Sequence, residues 1–124
     1  MAKRDARVVA LEALYAADAR GEEPDPAELP ARPARLVAGV GDNLESLDEE
    51  IAEAAAGWRI ERMPVVDRNI LRLALYELRS TETPVGVVIS EAVELAKTYS
   101  TERSGSFVNG ILGALVVGQP DPVE

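Results

Sequence analysis

The chain has 124 residues, a formal net charge of −9 and 47% hydrophobic residues, with few aromatics. That length suits one domain with a core of its own, and a composition rich in Ala, Leu and Val favours helices over sheets. Cysteine and histidine are both absent, which excludes disulfides, thiolate nucleophiles, cysteine-based zinc sites and the commonest general base. No apolar run approaches the ~20 residues needed to span a bilayer. The N-terminus is charged and then amphipathic, without a signal-peptide core, so a soluble cytoplasmic protein is expected. The negative charge repels nucleic acid at long range, because affinity for it comes largely from Lys and Arg displacing counterions. Binding to nucleic acid would need a local basic patch, whereas an acidic total suits solubility or a basic protein partner.

Residues 3–20 read as the first helix, with Val8, Leu11, Leu14 and Tyr15 on one stripe and Gly21 as its stop. It opens with Lys3, Arg4 and Arg7. Cations at a helix N-terminus oppose the macrodipole, so helix stability does not explain them. They are either a solvated, frayed start or a patch that contacts phosphates. After a loop at 22–26, Pro33 fits the first turn of a second helix. Leu36, Val37, Val40, Leu44, Leu47, Ile51 and Ala54 keep helical spacing across Gly39 and Gly41, so one long helix is expected, capped by Gly57. Its outer face carries Asp42, Glu45, Asp48, Glu49, Glu50 and Glu53. No ligand loop with a sharp glycine turn accompanies them, and a solvated face is expected in place of a metal site.

A short connection at 58–64 leads to the most regular helix, 66–78, whose Ile70, Leu71, Ala74, Leu75 and Leu78 face the core. Arg68, Arg72 and Arg79 cluster within ~40° at ~100° per residue; pairing with the acids of the second helix is favoured over phosphate binding. Thr83-Pro84 reads as a cap followed by a first-turn proline. Residues 85–89 alone would pass for a strand, but Val85, Val88, Ile89, Ala92, Val93 and Ala96 continue one helical stripe. A polar turn at 99–103 precedes the last helix, which closes at 117–118 and leaves a loose tail at 119–124. Ser104 or Ser106 is placed to cap this helix. Phe107, the chain's single phenylalanine, stands at the helix start, either as a core plug or as a platform for an unpaired base. Gly110 and Gly113 read as helix-packing positions, at a cost of roughly 1 kcal/mol each against alanine. There is no internal repeat, Gly-rich phosphate loop or nucleophile with a base. The expected architecture is all-α, about six to seven helices in two small bundles sharing a core, residues 1–57 and 58–118.

These segments, in this order, resemble the NusB family of transcription antitermination factors. The likeness is carried by Arg4-x-x-Arg7 with Ala13-Leu14-Tyr15, by residues 66–78 beginning Val66-Asp67-Arg68, by Pro84, by Ile89-Ser90-Glu91-Ala92 through Lys97, and by Phe107-Val108-Asn109-Gly110 through Gly113. It covers nearly the whole chain and is weakest between Gly21 and Pro33. The resemblance implies two helical bundles and binding to the boxA element of nascent ribosomal RNA transcripts. It also implies a heterodimer with the ribosomal small-subunit protein called NusE in its antitermination role. That unit joins RNA polymerase with other Nus factors, so its work is assembly, without catalysis or a cofactor. Lys3, Arg4 and Arg7 then map to RNA contact, with Arg103, Ser104 and Phe107 as a second group.

Two departures from the family pattern stand out. The arginine-rich N-terminus is short here and interrupted by Asp5, and Arg103 occupies a position where the family often has an acid. For a basic ribosomal partner an acidic helical face is the chemical complement, with Glu77, Glu91 and Glu94 as contributors. Two other readings remain open: a homodimer or protein-interaction module with weakened RNA binding, and a NusB-like domain related to those of rRNA cytosine methyltransferases. The latter enzymes need a nucleotide-cofactor domain and a catalytic cysteine, neither of which occurs in this chain.

Overall fold

The computed structural model describes residues 5–117. Lys3, Arg4 and the tail at 119–124 lie outside the described residues. Among the described residues there are six α-helices and no strand: α1 (Ala6–Ala19), α2 (Ala31–Asp42), α3 (Leu44–Ala54), α4 (Val65–Ser80), α5 (Val85–Tyr99) and α6 (Glu102–Val116). A single 3-10 turn, Ile60–Arg62, lies in the connection before α4.

Helix α1 starts at Asp5, whose carboxylate accepts the Arg7 backbone N–H at 2.8 Å. The residue that interrupts the basic start is therefore the N-cap. At the other end, Gly21 takes φ of +70°. The Gly21 N–H then reaches the Asp18 carbonyl at 3.1 Å and the Glu22 N–H the Ala17 carbonyl at 2.8 Å. This is the paired bond pattern of a glycine-terminated helix.

The expected single helix from 33 to 57 is two helices. At Asn43 (φ −121°, ψ 16°) the side-chain amide donates to the Gly39 carbonyl at 2.7 Å, the acceptor an unbroken helix would give to the Asn43 backbone N–H. That N–H turns to the Val40 carbonyl at 3.2 Å instead. A short polar side chain competing with its own backbone breaks the ladder, and the weak helix propensity of Gly39 and Gly41 lowers the cost. The apolar register survives because the break is one residue long, and Val40, Leu47 and Ile51 are all buried. Gly39 has a second purpose: a Cβ there would overlap the ring of Tyr76, so α2 lies against α4 only because Gly39 has no side chain.

Helix α4 is the shared member of the fold, touching each of the other five. Leu71 and Leu75 are wholly buried, as are Val37 of α2 and Leu112 of α6 in the same continuous core. Burying each such side chain contributes roughly 1.5–3 kcal/mol. Residues 85–89 are helical, as their stripe indicates. Pro84 is the N-cap of α5, with no capping bond from Thr83, because its extended ψ of 141° places it just outside the helix.

The polar turn expected at 99–103 is shorter, since α5 runs to Tyr99 and α6 begins at Glu102. Neither Ser104 nor Ser106 caps α6. Thr101 does so, its hydroxyl oxygen accepting the Ser104 N–H at 3.0 Å. The side chain that accepts three residues ahead sits on the first extended residue before the helix, and Thr101 (φ −136°, ψ 168°) holds that place.

Candidate nucleic-acid interface

Much of the chain's positive charge is spent inside the fold. Arg68 donates to both carboxylate oxygens of Asp18 at 2.7 Å. Arg72 reaches Asp18 at 2.9 Å and Asp48 at 2.7 and 2.8 Å, and Arg79 reaches Glu50 at 2.7 Å. Arg72 and Arg79 thus pair with acids of the segment expected to be the second helix, as favoured from the sequence, while Arg68 pairs with α1. Asp48 and Glu50 reach these arginines yet stay 25% and 38% exposed. Asp18, on α1, is the acceptor that sequence spacing did not single out. Hydrogen bonds from Arg68 hold the Asp18 carboxyl below its usual range, with Asn69 and the charge of Arg72 adding to this against partial burial. The same pairing raises the Arg68 guanidinium.

Arg7 has a comparable place. Its guanidinium makes two 2.8 Å bonds to Glu77 and lies 3.7 Å from Glu91, with a side chain only 11% exposed. The bonds to Glu77 raise its pKa. Arg7 and Glu77, read separately as an RNA contact and a partner contact, are brought to each other: Glu77 is buried at 3% exposure. Such a fork-to-fork pair joins α1 to α4. Its two members lie 70 residues apart, beyond any local spacing rule.

Among the described residues, the cations without an ion pair are Arg32, Arg35, Arg62, Lys97 and Arg103. Arg32 and Arg35, in the first turns of α2, line a cavity of about 790 Å³ together with Asp5, Ala6 and Val9 of the α1 start. Sequence reading passed over both arginines, because the proline-rich loop before them masks their closeness to the first helix.

The second group of expected site residues does converge. Arg103, Ser104 and Phe107 line one pocket of about 380 Å³ with Trp58, Pro64 and Asp67. Trp58 and Phe107 meet edge to face, ring centroids 5.6 Å apart at 69°, a favourable aromatic geometry. Phe107 is half-buried and packed against the core, whereas Trp58 is 58% exposed. Arg103 is exposed at the rim, in the first turn of α6. Ser104 is buried, and its hydroxyl donates to Asp67 Oδ2 at 2.8 Å. The other carboxylate oxygen, Asp67 Oδ1, is buried with no hydrogen-bond partner. Trp58 is an isolated aromatic in the sequence, and Asp67, although it stands in the Val66-Asp67-Arg68 motif, shows nothing there of its closeness to α6.

Gly110 and Gly113 do not pack against another helix: nothing lies within 4 Å of where their Cβ atoms would be. Glycine at Gly105 is the one that permits a close approach, where the aliphatic stem of Lys97 would meet a Cβ at 2.9 Å. A sequence shows a glycine in a helix but not which way it faces.

A different surface, between α1 and α5, is apolar with an acidic border. Val8, Leu11 and Val66 floor a cleft of about 320 Å³ flanked by Tyr15 and Tyr99, which are 43% and 47% exposed. Beside it Glu91 and Glu94 line an adjoining hollow with Asp5, Leu95 and Tyr99. Of the three acids expected to meet a partner, these two are at the surface. Among the described residues no cluster of three or more acids could hold a metal ion, and no helix is long and apolar enough to cross a membrane.

Fold and surface together define a class: an all-helical binding domain with an aromatic–cationic pocket on one surface and a tyrosine-bearing, acid-bordered cleft on another. The chain belongs to the NusB family, whose profile matches residues 4–116. It is 44% identical over 139 aligned positions to the transcription antitermination protein NusB of Symbiobacterium thermophilum, covering 95% of this chain and 91% of that one. Among solved structures it is similar to NusB of T. maritima, with a TM-score of 0.83 and 34% identity over 95% of this chain and 94% of that one. It is also similar to a chain in the crystal structure of the antitermination factors NusB and NusE in complex with double-stranded RNA. There the TM-score is 0.74 and the identity 32%, over 89% of this chain and 92% of that one.

Proposed function

We propose that the protein is an RNA-binding transcription antitermination factor. It binds boxA of nascent rRNA transcripts together with the ribosomal protein NusE, and joins RNA polymerase and other Nus factors to support processive transcription. The observation that carries this reading is the likeness, over 89% of this chain, to a chain in the structure of NusB and NusE in complex with double-stranded RNA. The surfaces suit the two partners. Arg103 neutralises a phosphate while Phe107 and Trp58 offer ring faces to an unpaired base, a contact worth roughly 1–3 kcal/mol per base. Lys3 and Arg4, with Arg32 and Arg35, supply further cations, so RNA is met by a local patch despite the net charge of −9. Arg7 acts at one remove, tying the start of α1 to α4 through Glu77. For the basic partner, Tyr15 and Tyr99 are the anchors, and Glu91 and Glu94 steer its approach.

The test is a titration of boxA RNA and a scrambled oligonucleotide with the protein, in the presence and absence of NusE. Tighter binding of boxA, strengthened by NusE, is expected. Equal weak binding of both RNAs under both conditions would sink the proposal.

A further inference from the structure

Resting on the RNA-binding reading above, we infer that Lys97 is a further RNA contact, its ammonium held by Gly105 to bind a phosphate on the α5 side of α6. Lys97 stands in the last turn of α5, and Gly105 near the start of α6. A Cβ on Gly105 would lie 2.9 Å from Lys97 Cγ, 3.2 Å from Cε and 3.6 Å from Cδ. The stem therefore runs along the α6 backbone, in the space that a side chain at position 105 would take. Gly105 is buried while Lys97 as a residue stays exposed, so the apolar stem lies on the helix and the charged head is left in water.

Two features separate this lysine from an ordinary solvated one. A lysine carries much rotamer freedom that binding takes away, and here the fold has already restricted the stem. Yet the ammonium has no ion pair: neither Glu94, one turn back on α5, nor Glu102, at the start of α6, forms one with it. In a chain of net charge −9, a cation held in place without an acid is the complement of an anion from outside. Compensation of the α5 dipole accounts for a cation in the last turn, but it requires no glycine opposite.

The neighbouring turn says which anion. Arg103 and Gly105 are two positions apart, roughly 200° around the helix. Arg103 thus flanks the start of α6 on the side of Phe107, and Lys97 flanks it on the side of α5. A strand that stacks a base on Phe107 and crosses this turn presents a phosphate to each. The ammonium, a compact charge with three donors and no acceptor, suits phosphate oxygens.

The test is a salt titration of boxA RNA binding, with NusE present, by wild type and three variants. Lys97→Met keeps a stem on Gly105 and removes the charge. In a variant that remains folded by circular dichroism, the salt slope should fall by roughly 0.7, a loss of about fivefold in affinity between 1 M and 0.1 M salt. Lys97→Arg keeps the charge and should keep the slope. Gly105→Ala displaces the stem and leaves the charge; it should weaken binding in the wild-type background but not in Lys97→Met. If Gly105→Ala does not fold, the two Lys97 variants decide alone. Wild-type affinity and slope in Lys97→Met would overturn the inference and leave RNA binding standing. So would weaker binding with an unchanged slope, or a loss that appears only as weaker binding of NusE in the absence of RNA. No binding of boxA by wild type would remove the RNA-binding reading and this contact with it.

Discussion

Replacing Asp18 with Asn should destabilise the protein, because three side chains of α4 converge on its carboxylate. Its two oxygens accept from Arg68 twice at 2.7 Å, from Asn69 at 2.7 Å and from Arg72 at 2.9 Å. Breaking a fully buried pair costs roughly 3–5 kcal/mol because the remaining charge is stranded. Asp18 and Arg68 are each 16% exposed and Arg72 is 10% exposed. Water therefore screens part of the loss, and Asn retains one acceptor, which brings the expected cost to about 2–3 kcal/mol. Urea unfolding at pH 7 should show a lower midpoint with unchanged slope, and the midpoint of thermal unfolding should drop by roughly 6–15 °C. The pH dependence gives a second check. The folded-state pKa of Asp18 is depressed below its ordinary 3.8, so the carboxylate's contribution is complete above that value and is lost as the pH falls through the folded pKa. Asp18→Asn lacks this loss, and the gap between the two proteins should close in acid. A variant within 0.5 kcal/mol of wild type at pH 7, or a gap that does not narrow below pH 3.8, would refute the reasoning.

Other substitutions separate the roles assigned to individual residues. Arg7→Ala should cost about 2–3 kcal/mol of stability by stranding Glu77, whereas Arg103→Ala should leave urea unfolding unchanged and lower the salt slope of RNA binding by roughly 0.7. Unfolding and salt-dependent titration of both variants check the pair, and the opposite pattern would exchange their roles. Gly39→Ala should destabilise by roughly 1–3 kcal/mol through overlap with Tyr76, while Gly110→Ala, on an open helix face, should stabilise by up to about 1 kcal/mol. Calorimetry on the two variants decides this. Tyr99→Ala should weaken binding of NusE by tenfold or more, as an anchor of about 1.4 kcal/mol or greater would, without lowering affinity for RNA alone. Calorimetric titration against each partner reads both.

The fold was legible wherever one helix face carries the information. Ile70, Leu71, Ala74 and Leu75 mark α4 without reference to any other segment, and Gly21 marks the end of α1 by the conformation it alone adopts cheaply. The break at Asn43 escaped because it leaves the apolar register intact and arises from one side chain competing with its own backbone. For the candidate site, Arg103, Ser104 and Phe107 could be read because they are close in sequence. Trp58 and Asp67, the other walls of their pocket, come from the segment before α4 and from its first turn, and only the packing of α6 on α4 brings them there. Arg7 illustrates the reverse: a basic cluster in the sequence loses one member to Glu77, which lies 70 residues away along the chain. The glycines of α6 show the same limit, since spacing does not distinguish Gly105, which admits Lys97, from Gly110, which faces open space.

The most direct test of the central claim is the affinity of Phe107→Leu for boxA RNA in the presence of NusE. Leucine keeps the half-buried position filled but offers no ring to a base. A loss of about 5- to 150-fold relative to wild type is expected, the equivalent of one base stack, with the helical content unchanged by circular dichroism. Wild-type affinity in a folded variant would contradict the assignment of this pocket to RNA.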